Sequence, residues 1–483
     1  MGFSVDVKAA HKRIVLHDQE QGLVGFTLDG RLYFYRVTPF GAVFSAHWWA
    51  RLGGFLLRIF HRIIWWVHTG FLYVDDYFFT QTRDMMPVSA TLICLFCQIC
   101  KIPISWGKCE LGGSLQWIGW TFHLNAGYIE VPERKISKLL GYISEMKRSS
   151  RTTRRHLEKL IGLAMWITQL WPYMRIWIRH WYIDLYSIPA THFSIDYGDW
   201  HSLRSCLNDD MTFRIRPAGT AIPVGGTLIS VRHQEVAQPS DLQSLRLSDK
   251  RIWMRIRDPH SNRRNLSESS MRILHLFASW LQLLSPLRPL TPKRYWKGEC
   301  AADACAAGGT CQIGGFLRYN NQQFWFSDIF TISDFTALGL QLSDELQRYI
   351  TCFETLAQIA ILYIASRVFP AHRFPICLRS LSDNTGAESG SNKLWSMSYP
   401  LCVFLEKLCV LSATTGMEID VSHIPGAQNI IADDLSRWDQ KGHIPHGFSA
   451  HERFIIDLKS LWNIRQKPSL VPSHADIPWT LPS

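Results

Sequence analysis

Asp75 and Asp76 stand side by side in GFLYVDDYFF, an otherwise apolar run. Apolar residues on both sides read as two short buried strands, with Asp-Asp at the tip of the hairpin between them. Adjacent ionised carboxylates repel, and burying them is costly. A divalent cation removes that penalty, and hard oxygen ligands suit Mg²⁺. An ordinary polar turn is the simpler alternative, because Asp is common in turns. A second set of carboxylates lies far downstream. CAADACAAGG places Asp303 just before a small-residue turn, and ITCFETLAQIAIL puts Glu354 in an apolar helix. A charge in such a helix is expensive unless paired or metal-bound. LRSLSDNTGAESG sets Asp383, followed by Asn384, at the end of a strand. SHIPGAQNIIADDLSRW carries His423, Asn429, Asp433 and Asp434. Taken singly, Asp303 and Asp383 also read as turn or cap residues, and Glu354 as facing water.

The elements that must position these groups fall into zones. Residues 1 to about 125 alternate short strands with two helical stretches. Asp6 ends the first strand in FSVDVKAAHKRI, and a Pro39-Phe40-Gly41 turn leads into a helix. Residues 126 to 210 read as helical and basic, with Leu157, Leu160, Ile161, Ala164 and Met165 on one helical face. Arg148, Arg151, Arg154, Arg155, Arg175 and Arg179 accompany Trp166, Trp171, Trp177 and Trp181 there. That mixture suits either a nucleic-acid track or an amphipathic helical domain with a solvated basic face. Residues 211–296 read as a connection ending in the stiff SPLRPLTP joint. Residues 297–440 return to strands and then helices, and the tail from 441 to 483 carries no readable signal.

With 483 residues and 47% hydrophobic content, the chain is long and apolar enough for several packed domains. Lys and Arg outnumber Asp and Glu by 51 to 40, a net charge of +11 that favours a polyanionic partner, nucleic acid before membrane. The N-terminus has no apolar leader and the 12 cysteines are scattered, which reads as a reduced, intracellular protein that is not secreted. Cys94, Cys97 and Cys100 have knuckle-like spacing in TLICLFCQIC, but the apolar segment favours buried thiols. The apolar stretch 53–67 contains Arg58, His61 and Arg62, which argues for a core-facing helix and against a membrane span.

In order, Asp6, Pro39-Phe40-Gly41, the Tyr73–Asp76 box, Lys108 with Gly112, and Trp117-Ile118-Gly119-Trp120 resemble the palm of a reverse transcriptase. The last segment, from His423 to Arg437, resembles the end of RNase H domains in gypsy- and DIRS-type retrotransposons. The resemblance implies an α+β polymerase palm (1–125) with a helical thumb (126–210), followed by an α/β RNase H-like domain (297–440). It implies two Mg²⁺ per active site, with Mn²⁺ as a substitute. Asp6, Asp75 and Asp76 would serve polymerisation. Asp303, Glu354, Asp383 and Asp433 would serve hydrolysis, with His423 assisting and Asp433 preferred over Asp434. Val7, His11, Pro39, Phe40, Gly41 and Lys108 would meet the nucleotide, Asn384 and Asn429 the hybrid, and Trp117 and Gly119 the primer. Partners would be RNA template, DNA primer, RNA–DNA hybrid and dNTPs, with no membrane. Three departures stand out: the fingers motifs expected before Asp6 lie outside the chain, His11 replaces the usual Tyr or Phe, and Ser45-Ala46-His47 replaces the usual Ala-Pro. They leave room for a polymerase-inactive remnant that keeps RNase H activity or only binds nucleic acid.

Overall fold

A computed structural model describes residues 1–187, 189, 262–290, 294–369 and 376–463, with the backbone course of strands between 190 and 257. The chain forms two compact units, residues 1–136 with 285–292, and residues 137–284 with 293–482.

The first unit is built on two small antiparallel sheets. One contains β1 (Gly2–Asp6), β2 (Thr69–Tyr73), β3 (Asp76–Thr80) and β4 (Glu110–Gly112), in the order β2-β3-β1-β4. The other contains β5 (Ser114–Trp117), β6 (Trp120–His123), β7 (Tyr128–Glu130) and β8 (Leu287–Pro289), in the order β8-β7-β6-β5. Helix α1 (Val43–Ile63) starts after the turn at Gly41, whose φ of 91° suits glycine. Its buried residues Ser45, Trp49, Gly53, Leu56 and Phe60 recur at helical spacing, so one face meets the sheet. They share a core with Phe3, Val5, Tyr77, Phe79 and residues of α2 (Met86–Ile99). Cys97 on α2 is buried and Cys100 just past its end is exposed, and burial pushes the Cys97 thiol up to about 12. Among the described residues, no cysteine joins a group that could hold a metal.

The second unit holds a helical layer and a mixed sheet. Helix α3 (Glu133–Lys147) leads into it, followed by α4 (Arg154–Ile167), a 3-10 stretch Pro172–Ile178, α5 (Arg179–Tyr186) and α6 (Glu268–Leu283). The aromatic residues of the expected nucleic-acid track are mostly core: Trp171, Trp177 and Trp181 are buried, and Trp181 packs on Phe277 of α6. Arg179 is likewise buried. The tryptophans point inward because their large apolar area is worth more in a core than in water. Arg148, Arg151, Arg154 and Arg155 remain exposed.

The sheet runs β11-β10-β9-β12-β13, from β9 (Glu299–Ala307), β10 (Thr310–Tyr319), β11 (Gln322–Thr331), β12 (Ile376–Ser382) and β13 (Met417–His423). The first three pair antiparallel, and β12 is parallel to both β9 and β13. Helices α7 (Ile350–Val368), α8 (Thr385–Lys393), α9 (Leu401–Thr415) and α10 (Ile430–Ser436) complete this α/β layer. Asp303 lies mid-strand in β9, four residues before the strand's end, not beside the turn expected from its small neighbours. The turn falls at Gly308-Gly309. Among the described residues, only Leu346–Val368 is long and apolar enough to cross a membrane, and 72% of its apolar window is buried against the rest of the protein. The tail has structure too. Trp325 donates to the Ser449 carbonyl, and α11 (Leu458–Asn463) buries Leu458, Leu461 and Trp462.

Two candidate metal centres

In the first unit, antiparallel register sets Asp6 directly opposite Asp76, and the turn Val74-Asp75 joins β2 to β3. Like charges facing across strands destabilise a sheet. Oxygens of Asp6, Asp75 and Asp76 all lie within 4.8 Å of one another. The turn is held from two sides. Val7 N–H donates to the Asp75 carbonyl at 3.1 Å, and the Trp49 indole donates to the Val74 carbonyl at 2.6 Å. Val74 has φ of 56°, a left-handed conformation costly for a β-branched residue, of order 1–3 kcal/mol. Those two hydrogen bonds hold it there. Trp49 is a positioning residue that sequence reasoning missed. Its only signal was its phase on the buried face of α1.

Burial would raise the Asp6 carboxyl, but hydrogen bonds with Ser105, Lys108 and Asp76 outweigh it and hold Asp6 below the ordinary carboxylate value. Burial pushes Asp76 up to about 6, and its hydrogen bond to Asp6 and the charges of Asp6 and Asp75 add to that, opposed by the Lys108 charge. Lys108 Nζ sits 3.0 Å from Asp6 Oδ2. A proton and an ammonium therefore offset the charge that a cation would offset in their place.

The other expected residues of this unit surround the triad. His11 Nδ1 lies 3.2 Å from the Ser45 carbonyl, and its ring packs edge-on to Phe40 at 5.1 Å. Phe40 and Gly41 are exposed, whereas Pro39 and Val7 are buried. Trp117 stacks on Phe78 at 4.9 Å, and the β5–β6 hairpin turns through Ile118 and Gly119 at φ of 46° and 90°. A cavity of about 350 Å³ opens beside the triad, lined in part by Ser4, Asp76, Lys108, Gln116 and Trp117.

In the second unit, Asp303 from β9, Glu354 from α7 and Asp383 just past β12 also bring carboxylate oxygens within 4.8 Å of one another. Asp303 and Glu354 are each 3% exposed. Burial pushes Asp303 up to about 6, opposed by a hydrogen bond from Ser436 and reinforced by the charges of Asp383 and Asp433. Burial pushes Glu354 up to about 9, and the Asp303 and Asp383 charges add to that. Buried acids that hold protons this firmly make a poor apolar core and a good cage for hard cations.

Asp433 does not join this cluster. Its Oδ1 accepts from Arg437 Nε at 2.7 Å, while Asp434 is exposed. The i,i+4 spacing on α10 makes that pairing local and easy. His423 is exposed and lies 3.1 Å from the Asp383 carbonyl. Asn384 caps α8, accepting from Ala387 N–H. Asn429 is buried, with Oδ1 unpartnered and Nδ2 3.5 Å from the Ala302 carbonyl. Ser436 is the residue missed here: its Oγ donates to Asp303 Oδ2 at 2.6 Å. Close backbone approach makes this possible, since a Cβ on Gly314 would lie 2.2 Å from Ser436 N.

A third feature belongs to the helical layer. Residues Arg151–Thr153 pair with Arg263–Asn265 at the start of α4. Arg151, Thr152, His156 and Arg263 line a cavity of about 510 Å³ there, with Glu145 paired to His156.

No family model and no curated protein matches the chain. Among solved structures, it is similar to the foamy viral protease-reverse transcriptase in complex with an RNA/DNA hybrid, at 13% identity over 88% of this chain, with a TM-score of 0.35. It is similar at 13% identity and a TM-score of 0.34 to the same enzyme with dsDNA, over 88% of this chain and 68% of that one. RNase H1 from the halophilic archaeon Halobacterium salinarum matches 29% of this chain and 92% of its own, at 20% identity and a TM-score of 0.20. The chain spans 44% of the length of the first of these. Likenesses this distant say nothing about activity.

Proposed function

We propose that this chain is the reverse transcriptase and RNase H portion of a retroelement. In this reading it copies an RNA or DNA template into DNA at the first cluster and cuts the RNA of the resulting hybrid at the second. The observation that carries the reading is that one chain holds two separate acid triads, each assembled from distant segments, within its first and second units. Both donor sets are hard oxygens, which fits Mg²⁺ or Mn²⁺. Two such ions, when bound, polarise the phosphate and stabilise attacking and leaving oxygens in an in-line displacement.

The side chains divide the work. Asp6 and Asp75 would hold the ions at the polymerase site, and Asp76, whose carboxyl burial pushes up to about 6, would set the local charge. Lys108, held 3.0 Å from Asp6 Oδ2, would be placed to meet the departing pyrophosphate. His11, beneath Phe40, borders the sugar of the incoming dNTP, and the Trp117–Gly119 hairpin supports the primer end. At the nuclease site Asp303, Glu354 and Asp383 form the cage. Asp433, paired with Arg437 at 2.7 Å, would complete it once freed from that pair, and His423 at the rim would assist the attacking water. Choice of hybrid follows from backbone geometry and 2′-hydroxyls rather than base edges.

The test is direct. The purified chain is given Mg²⁺, dNTPs and a labelled RNA–DNA hybrid with a recessed 3′ end. Extension of the DNA and cleavage of the RNA are expected, both abolished by chelation. Hybrid binding that survives chelation, with neither product formed, would overturn the reading.

A further inference from the structure

Helix α9 is buried nearly all round. Every residue from Phe404 to Ala413 is buried, including the charged pair Glu406 and Lys407. A helix apolar on every side needs neighbours on every side. Three are present. Phe404 packs near Phe335 and Phe353, on the side of α7. Trp462 of α11 lies 5.3 Å from Phe404, and Lys407 Nζ donates to its carbonyl at 2.9 Å. The third face is covered by the helical layer that precedes the sheet in sequence. There Arg179 Nη2 meets Glu406 Oε1 at 2.6 Å, and His180 Nε2 lies 3.7 Å from the same oxygen. Arg179 and Glu406 are 8% and 4% exposed. Met174, Ile176 and Ile178 beside them are fully buried, and Tyr182 packs on Trp395 at 5.7 Å.

We infer that the helices spanning 154–186 are a fixed structural part of the nuclease domain, docked on α9 through the buried Arg179–Glu406 pair. Burial would raise the Glu406 carboxyl, but His180 and Arg179 hold it below the ordinary value, so it stays ionised and needs its partner. A desolvated ion pair adds little net stability against an apolar replacement, but breaking one half leaves a buried charge. It therefore selects one docking geometry. A flexible tether between these layers would leave the third face of α9 open to water, with Glu406 and Cys409 exposed along it. A consequence is that the groove at Arg151 and Arg263 rides with the Asp303 cluster as one body.

Hydrogen exchange on the whole chain tests this without mutation. With rising denaturant, amides in 172–186 and in 401–415 should converge on one opening curve, as members of one cooperative unit do. Full exchange of 172–186 while 401–415 stays protected would overturn the inference. Variants add a second reading. Arg179→Met should lower protection in both segments together, and Arg179→Met with Glu406→Leu should restore most of it in both. Loss confined to 172–186 in the single variant, or no recovery in the double, would show separable layers. None of these readouts depends on catalysis, so failure of the proposed enzymatic activities would leave this result standing.

Discussion

At the scale of single residues, protonation is the main variable at both acid clusters. Burial raises Asp303 from 3.8 to about 6, so the folded, metal-free state holds that proton more tightly than the unfolded chain. Stability from this proton is fully present below the unfolded value and is lost as pH rises through about 6. At 1.36 kcal/mol per unit, the swing is about 3 kcal/mol. Glu354, raised to about 9, extends the same trend through neutral pH. Cation binding needs the deprotonated acids, so it runs the opposite way. The rise in melting temperature caused by Mg²⁺ should therefore be small at pH 5 and large at pH 8. An equal rise at both would count against cation binding at these acids. Ser436 fixes Asp303 through one short hydrogen bond. Ser436→Ala should raise the Mg²⁺ concentration needed for hybrid cleavage by roughly 10–100-fold, the usual effect of losing an outer-shell partner.

At the scale of elements, the first acid cluster depends on one helix. Trp49 of α1 holds the Val74 carbonyl, and Gly53 gives α1 room against Leu72. Trp49→Phe keeps most of the ring volume but leaves that carbonyl unpaired, costing about 1–3 kcal/mol. DNA extension should fall while hybrid cleavage by the other unit is unchanged; parallel loss of both would contradict this division. Gly314→Ala should do the reverse, because its Cβ would collide with the backbone at Ser436.

These elements also mark what a sequence can carry. The hairpin between β2 and β3 was legible because local apolar runs bracket two carboxylates. Glu354 stood out because a charge in an apolar helix has no local excuse. Asp303 was misplaced because Ala and Gly neighbours mimic a turn, whereas β9 carries small residues where helices α7 and α10 pack on it. Trp49, Ser436 and Glu406 act through partners 25 to 227 positions away. No local spacing encodes such contacts. The tail 441–463 looked featureless for the same reason, since Phe448 and Phe454 pack on distant strands and Trp462 on α9.

At the scale of the whole molecule, the net charge of +11 and the exposed arginines around 148–155 favour a polyanion. Hybrid affinity should weaken steeply between about 50 and 200 mM salt, with a slope set by the number of phosphates neutralised. Arg151→Ser and Arg263→Ser should each reduce that slope by about 1 without altering sequence preference. A slope unchanged in both variants would place the phosphate contacts elsewhere.

If the two acid clusters are separate catalytic centres, each should fail without the other. Asp75→Asn and Asp303→Asn, assayed side by side on one labelled hybrid with Mg²⁺ and dNTPs, decide this. Asp75→Asn should abolish extension, by roughly a thousandfold or more, and leave RNA cleavage intact, while Asp303→Asn should do the opposite. Either activity surviving in the variant of its own cluster, or both lost together in well-folded protein, would rule out two independent centres.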